Sequence, residues 1–576
     1  MGGFLYHDKT CQSFSSESIQ YSLQAIKNKK LADGRCMSIK EVIDRDGFTL
    51  YLFGKIGLNT ENIDHYPNGD FVLYTGTLIY KSQTGLKALQ NLYSDFDDSS
   101  FQFNDFQGHC CVFIYKQGKL NIWNDYFGIY HVFTDKNKGV ISSSFLSVVR
   151  LSKSKNIDHQ AMYEYVNEGA SYGDDTFIEE VKLLDAFYIH ELISDSSTRK
   201  KYTYKEADNK GFDDLVEQSA DSLTSYFKVL KNCFDHRVCS ALSGGYDSRL
   251  ILALLSKVDI NPYLYVYGNK SSPDVRIAEF IAAKENLKLN TDNRVMEKLS
   301  VDEFYQLTKD EYFFCDGHGP NGVLSNGSEF VARSVRSNVA SLQLNGGGGE
   351  IFRNFWKLPD REIAIETFLA GRFDRYPESV FKSNFRTQKY LLNLANKVQL
   401  MMNMSNAKMT RKDIEKLYVY MRIKYWMGYN TTIQNSRSFA LIPLTEPKFA
   451  FPSFDIPFKY KESGVFEAAM IQRLNPELAS YNSVYGYNFS NKPTAMEKFK
   501  NALTINLPAS LQSKLRKARY QLASTKFPYY VDQQLLKSIL PQSSGYVQEF
   551  YKIDNIRDPL MLSRLHTVNL VLSDPF

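Results

Sequence analysis

Nine consecutive residues, Ala241-Leu242-Ser243-Gly244-Gly245-Tyr246-Asp247-Ser248-Arg249, constrain this chain more than any other stretch. Before them, residues 237–242 carry Val238, Ala241 and Leu242 and read as a short buried strand. After them, Leu250, Ile251, Leu252, Leu254 and Leu255 read as a buried helix. A strand that enters a helix through two glycines can curl until several N–H groups point into the turn, where the positive end of the helix dipole joins them. Ser243 and Ser248 supply hydroxyl donors. Asp247 would repel a bare phosphate, so the loop reads as a cradle for a pyrophosphate bridged by Mg²⁺. An ordinary Gly-Gly turn capped by Ser or Asp is the plainer alternative.

The chain around this loop has room for large cores. Its 576 residues are 43% hydrophobic and 14% aromatic, enough for two large domains or several small ones. A net charge of +5, mixed in sign, calls for no nucleic acid. Lys514, Arg516, Lys517 and Arg519 are spaced as the solvated face of a helix. Seven cysteines, odd in number and scattered, argue for a reducing compartment, and Cys110-Cys111 sits in an alternating apolar run that predicts core. Residues 1–7 have no charged head before an apolar segment, and no apolar run approaches the roughly 20 residues of a membrane span. The expectation is a cytoplasmic protein with no membrane partner, and a homodimer is compatible with it.

Ser-Gly-Gly-Tyr-Asp-Ser resembles the signature of the ATP-pyrophosphatase superfamily, whose members cleave ATP to AMP and pyrophosphate while adenylating a substrate. No Gly-Lys-Ser/Thr follows, so it is not a Walker loop. Asparagine synthetases, argininosuccinate synthetases, tRNA thiolases and NAD synthetases share the motif. The flanking chain favours the asparagine synthetase branch.

Up to about residue 200 the apolar period is mostly two, predicting strands: residues 71–80, a hairpin about Gln117-Gly118, and another from His131 to Ile141. This part resembles the Ntn-type glutamine amidotransferase domain of asparagine synthetases. The resemblance lies in residues 76–80, in Asp105-Phe106-Gln107-Gly108 followed by Asn124-Asp125-Tyr126-Phe127-Gly128, and in residues 165–184. It implies an Ntn-type β-sheet sandwich with helices over residues 1–205. The family's nucleophile is the cysteine exposed behind the initiator methionine, and here that place is Gly2, so no glutaminase activity is expected. β-Lactam synthetases likewise keep the domain without the cysteine.

Residues 200–212 read as a linker, and Leu215, Val216, Ala220, Leu223 and Phe227 mark one face of a helix. Beyond them strands and helices alternate, predicting a doubly wound parallel sheet with a helical C-terminal part over residues 206–576. After a strand at 261–267, Gly268 opens a loop to Ser272-Pro273-Asp274, where Ser272 can cap a helix that Pro273 begins. Asparagine synthetases carry a near-identical Gly-Ser-Pro-Asp run where they hold the nucleotide. A strand at 341–344 leads into Asn345-Gly346-Gly347-Gly348-Gly349-Glu350-Ile351-Phe352-Arg353. Four glycines cost chain entropy and imply close backbone approach, a flexible surface loop being the alternative. The family's equivalent segment adds a second carboxylate for Mg²⁺ and pyrophosphate. Without gaps, Gly349 falls at the metal aspartate and Gly346 at the internal glutamate, and a slip of one residue lets Glu350 take over.

Cys315-Asp316-Gly317-His318 lacks a second ligand pair at zinc spacing and reads as a substrate-side or structural loop. Residues 442–447 resemble the family's Val-Pro-Phe-Leu-Asp segment, and Lys492 is the nearest candidate for the lysine that steadies the acyl-adenylate.

The resemblance therefore implies an adenine nucleotide α-hydrolase-like ligase that uses ATP and Mg²⁺ to turn a small-molecule or peptide carboxylate into an acyl-adenylate. Ammonia or an amine, intermolecular or within the same substrate, then displaces AMP. It implies Asp247, Glu350 and Lys492 as catalytic residues, with Asp247 and Glu350 binding the metal. Ser243, Gly244, Gly245, Asp247, Ser248, Gly268, Asp274, Gly347 and Gly348 would line the nucleotide. The alternatives are a silent nucleotide-binding scaffold and a conventional asparagine synthetase-type enzyme fed by external ammonia.

Overall fold

The computed structural model describes residues 1–11, 13–205, 210–292, 298–524, 526–540 and 545–576. Alternating apolar residues in the N-terminal part build two six-stranded sheets in which every pairing is antiparallel. The sheets pack face to face through Phe4, Leu50 and Leu52 from one and Leu73, Phe113 and Ile122 from the other, with the Phe4 and Phe113 rings edge to face at 4.8 Å. Ser16–Lys27 and Phe145–Leu151 cover the outer face of the first sheet, and Gly85–Asp95 covers the second. The layers run helix, sheet, sheet, helix. Gln117 and Gly118 both take positive φ, the two-residue turn that matches strand twist. Cys110 and Cys111 are buried on opposite faces of their strand, as the alternation predicts.

The C-terminal part holds a five-stranded sheet in the order Leu289–Asp292, Tyr263–Tyr267, Val238–Ala241, Leu342–Leu344, Phe439–Leu441, all parallel. Helices Phe212–Cys233, Tyr246–Lys257 and Pro273–Lys284 bury the faces their sequences mark, including all five residues from Leu215 to Phe227 named above. From Val238–Ala241 the chain adds two strands on one side and later two on the other. The order therefore reverses between Val238–Ala241 and Leu342–Leu344, which opens a crevice at their C-terminal ends.

The predicted linker is docked where it begins. Lys200 is buried, and its Nζ donates to the carbonyls of Asn124 and Asp125. Residues 206–209 of that stretch lie outside the described residues. The two parts join through buried polar contacts: Asp316 pairs with Lys29 at 3.2 Å and accepts from Phe145 N at 2.6 Å, Thr77 Oγ1 donates to Asn435 at 2.7 Å, and Glu446 accepts from Gly108 N at 2.9 Å. The Cys315 to His318 loop is thus structural, with the His318 ring stacked on Tyr165 at 5.0 Å.

Candidate functional site

The Ser-Gly-Gly loop leaves the strand at Ala241 and enters its helix at Tyr246. Its first three N–H groups turn inward but onto protein oxygens: Ser243 N donates to Ser248 Oγ (3.0 Å), Gly244 N to Asp274 Oδ1 (2.9 Å) and Gly245 N to Ser243 Oγ (3.2 Å). Asp274 is thereby brought to the loop as an acceptor. Ser272 precedes its helix with no side-chain capping bond, so Pro273 alone carries the predicted start. Gly268 has φ +132°, and its N–H donates to Asp292 O at 3.0 Å, placing it where the second strand ends.

Residues 481–489 wrap the loop. Val484 N donates to Gly244 O at 3.2 Å, and a Cβ on Gly244 would run into the Val484 side chain. The fully buried Arg249 anchors this wrap by donating to the carbonyls of Tyr481 (2.7 Å) and Asn482 (2.8 Å) and lying on the Phe489 ring. Tyr246 stacks on Phe489 at 4.2 Å and bonds the Tyr487 hydroxyl.

The four glycines are packed, not loose. A Cβ on Gly346 would lie 3.3 Å from the Ser248 backbone, one on Gly347 would meet Met427, one on Gly348 would meet Thr445, and one on Gly349 would meet Asp247 and Glu467. Gly348 also sits at φ +98°. The two glycine loops thereby interlock across the crevice, and the run carries Arg353 to Asp247.

Arg353 Nη2 donates to both oxygens of Asp247 at 2.6 and 2.8 Å, its Nε lies 2.6 Å from Glu467, and Glu350 stands 3.8 Å away. Glu350 in turn accepts from the Tyr418 hydroxyl and from Gly348 N. Burial pushes Asp247 up to about 6, Arg353 pulling against it and Glu350 adding to it. Glu467, wholly buried, is driven well above the carboxylate range by burial and then by Asp247. Burial opposes the Arg353 charge, yet its three acidic neighbours outweigh it and hold the guanidinium protonated.

A cavity of about 380 Å³ opens at the strand ends, lined by Ala241, Tyr265, Asn345, Leu441, Met427 and Trp426 among others. Arg336 lies over the Tyr265 ring at 4.3 Å in its wall. A second cavity, about 340 Å³, is lined by Tyr246, Glu350, Arg353, Tyr485, Tyr487 and Lys461 among others. Asn345 faces the first and Glu350 the second, so the glycine run is the partition between them.

Lys492 is exposed, and among the described residues no ion pair joins it to this cluster. No local pattern in the sequence assigns a cation to Asp247, and the one that reaches it, Arg353, ends the glycine run. Glu467 and Tyr418 were missed. Glu467 carried a signal: it is a charge spaced to share a helix face with the buried Met470 and Ile471. Tyr418 opens a π-helical stretch, Tyr418–Met427, that no periodicity announces.

Among the described residues no group of three or more His, Cys, Asp or Glu is arranged to hold a metal ion. Asp247 and Glu350 as they stand do not fit Mg²⁺, because both Asp247 oxygens accept from Arg353, and Glu350 Oε2 accepts from Tyr418 and the Gly348 amide. No protein-family model matches the chain, and no curated protein does.

Proposed function

We propose that this protein is an ATP-dependent, amide-forming ligase that activates a carboxylate as its acyl-adenylate. The observation that carries the reading is a pair of cavities on either side of the glycine run: one at the switch point of a parallel sheet, and another lined by Glu350 and by Arg353, which pairs with Asp247. The resemblance of the Ser-Gly-Gly loop to ATP-pyrophosphatases, and of the layered N-terminal part to the Ntn-type domain, points the same way.

In this reading the nucleoside occupies the first cavity and the acid enters the second. A carboxylate oxygen attacks the α-phosphorus, the bond to the β-phosphate oxygen breaks, and pyrophosphate leaves. Arg353 offsets charge on the reacting oxygens, and Asp247 with Glu467 fixes its orientation. Ammonia or an amine then attacks the acyl carbon, AMP leaves, and the amine's proton goes to a nearby carboxylate. Gly2 offers no nucleophile, so the nitrogen comes from outside the N-terminal part.

A second reading, nucleotide binding without turnover, is favoured by one observation: the N–H donors of residues 243 to 245 are already satisfied by protein oxygens. Pyrophosphate release in the presence of ATP, Mg²⁺, a panel of carboxylic acids and ammonium separates the two. The ligase releases pyrophosphate with some acid and loses it in Asp247→Ala. Binding of ATP by calorimetry with no release across the panel would leave the scaffold.

A further inference from the structure

The helix Ala495–Ile505 is inside out. Glu497, Asn501 and Ile505, one face at a spacing of four, line the second cavity, and Asn501 Nδ2 donates to Ser463 Oγ at 3.2 Å. Met496, Phe499 and Leu503, the apolar stripe, look outward and are 62%, 60% and 58% exposed. No residue of this helix is buried. The next helix, Ala509–Gln521, repeats the pattern: Leu511 and Leu515 are exposed, as is Leu522 just past its end, and Ser513 is its one buried residue. Six of the twenty exposed large hydrophobic side chains among the described residues fall within residues 495–522.

Charge singles out the same segment. Residues 495–522 contain six lysines and arginines and one acid, Glu497, a net charge of +5, which is the net charge of the entire chain. Arg516 and Lys517 are engaged at home, on the Arg372 carbonyl (2.6 Å) and Asp374 (2.6 Å). Lys498, Lys500, Lys514 and Arg519 are exposed beside the apolar stripes. Leu, Phe and Met stripes bordered by four free cations and almost no acid are the chemistry of a helix that lies in the plane of an anionic lipid surface. A protein groove would more often be matched by mixed charges at its rim.

We propose that the segment of residues 495–522 seats this protein on an anionic membrane surface, the apolar stripes entering the headgroup boundary and the lysines and arginine facing lipid phosphates. Among the described residues no helix is long and apolar enough to cross a membrane, so the attachment is peripheral. Because Ala495–Ile505 also walls the second cavity, seating would bring that cavity's mouth to the bilayer. The inference stands on exposure and charge alone and does not depend on the ligase reading.

Sedimentation of the full chain with vesicles tests it. The protein is expected to pellet with phosphatidylcholine vesicles containing phosphatidylglycerol and to stay in solution with phosphatidylcholine alone. Met496→Ser/Phe499→Ser/Leu503→Ser and, separately, Lys514→Glu/Arg519→Glu should each lower partitioning by about tenfold or more, with unchanged melting because these side chains are exposed. Failure to pellet with anionic vesicles, or equal pelleting of the triple variant, would overturn the proposal. So would a wild-type dimer that the triple variant converts to monomer, since the stripes would then be covered by a second copy.

Discussion

Arg353 donates through one nitrogen to both oxygens of Asp247, at 2.6 and 2.8 Å, and so puts a fixed cation against the acid that the sequence assigns to a metal. Removing it would strand Asp247 beside Glu350 and Glu467. Breaking a buried pair from one side costs about 3–5 kcal/mol. Arg353→Met is therefore expected to lower the unfolding free energy read from denaturant titration by that order, and Arg353→Lys to recover only part of the loss, because an ammonium cannot span Asp247 and Glu467 together. Equal stability of wild type and Arg353→Met would mean the pair contributes nothing.

The same pairing sets a pH dependence. Asp247 is held protonated up to about 6, mainly by burial, so its carboxylate faces Arg353 only above that pH. In the ligase reading, pyrophosphate release should fall as pH drops through about 6, and Asp247→Asn should be inactive at every pH. A flat profile through that range in the wild type would detach Asp247 from the reaction.

A separate titration acts on stability. Burial pushes the Glu311 carboxyl up to about 7, Ser325 only partly offsetting it through its hydroxyl and its N–H. In the unfolded chain the group titrates near about 4.3. The folded protein keeps the proton where the unfolded chain has lost it, so the contribution is fully present below the unfolded value and disappears as pH rises toward the folded one. Thermal melts from about pH 4.5 to 7 should show wild type losing stability relative to Glu311→Gln, by about 2–3 kcal/mol at the upper end. Parallel curves would refute the buried proton.

Local pattern made much of this legible. The strand, loop and helix around Ser243 to Ser248 follow from hydrophobic period and glycine placement, and the structure puts each within a few residues of its expected span. The four glycines were legible too, since their cost in entropy implied packing, and a Cβ has no free space at any of them. Long-range partners were not legible. Glu467 reaches Asp247 across about two hundred residues of chain, and nothing in its neighbours shows which acid it will meet. The cation paired with Asp247 was not legible either: it comes from the end of the glycine loop, as Arg353, while Lys492 lies exposed on the outside.

The glycine loop also gives a stability test that needs no ligand. A Cβ at Gly349 would collide with Asp247 and sit 2.7 Å from Glu467 Oε1. These oxygens cannot retreat without breaking their contacts with Arg353. Gly349→Ala is expected to destabilise by about 1–3 kcal/mol, the cost of overpacking a tight interior. Gly118→Ala, in an open turn with nothing near its Cβ but φ +80°, should cost about 1 kcal/mol through backbone strain alone. A Gly349→Ala protein as stable as wild type would mean that the Asp247 cluster is not tight.

Gly2 supplies the last test, because the resemblance to Ntn-type domains sets a nucleophile at its position. Its N–H donates to Phe53 O at 2.8 Å, and a Cβ there would lie 2.7 Å from two backbone carbonyl oxygens, those of Gly54 and Ser436. One of these belongs to the C-terminal part, so the interface between the two parts closes over the position. Carbonyls held by their own backbone cannot swing aside as a flexible side chain would. Lys55 stiffens the same place by donating to the carbonyls of Asn435 and Ser438. Gly2→Cys is thus expected to lower stability by about 1–3 kcal/mol and to release no glutamate from glutamine, since the sulfur would have neither room nor an approach for an amide carbonyl. Release of glutamate by this variant above the wild-type rate would show that the pocket opens, and that one missing thiol is all that separates this part from a working amidotransferase.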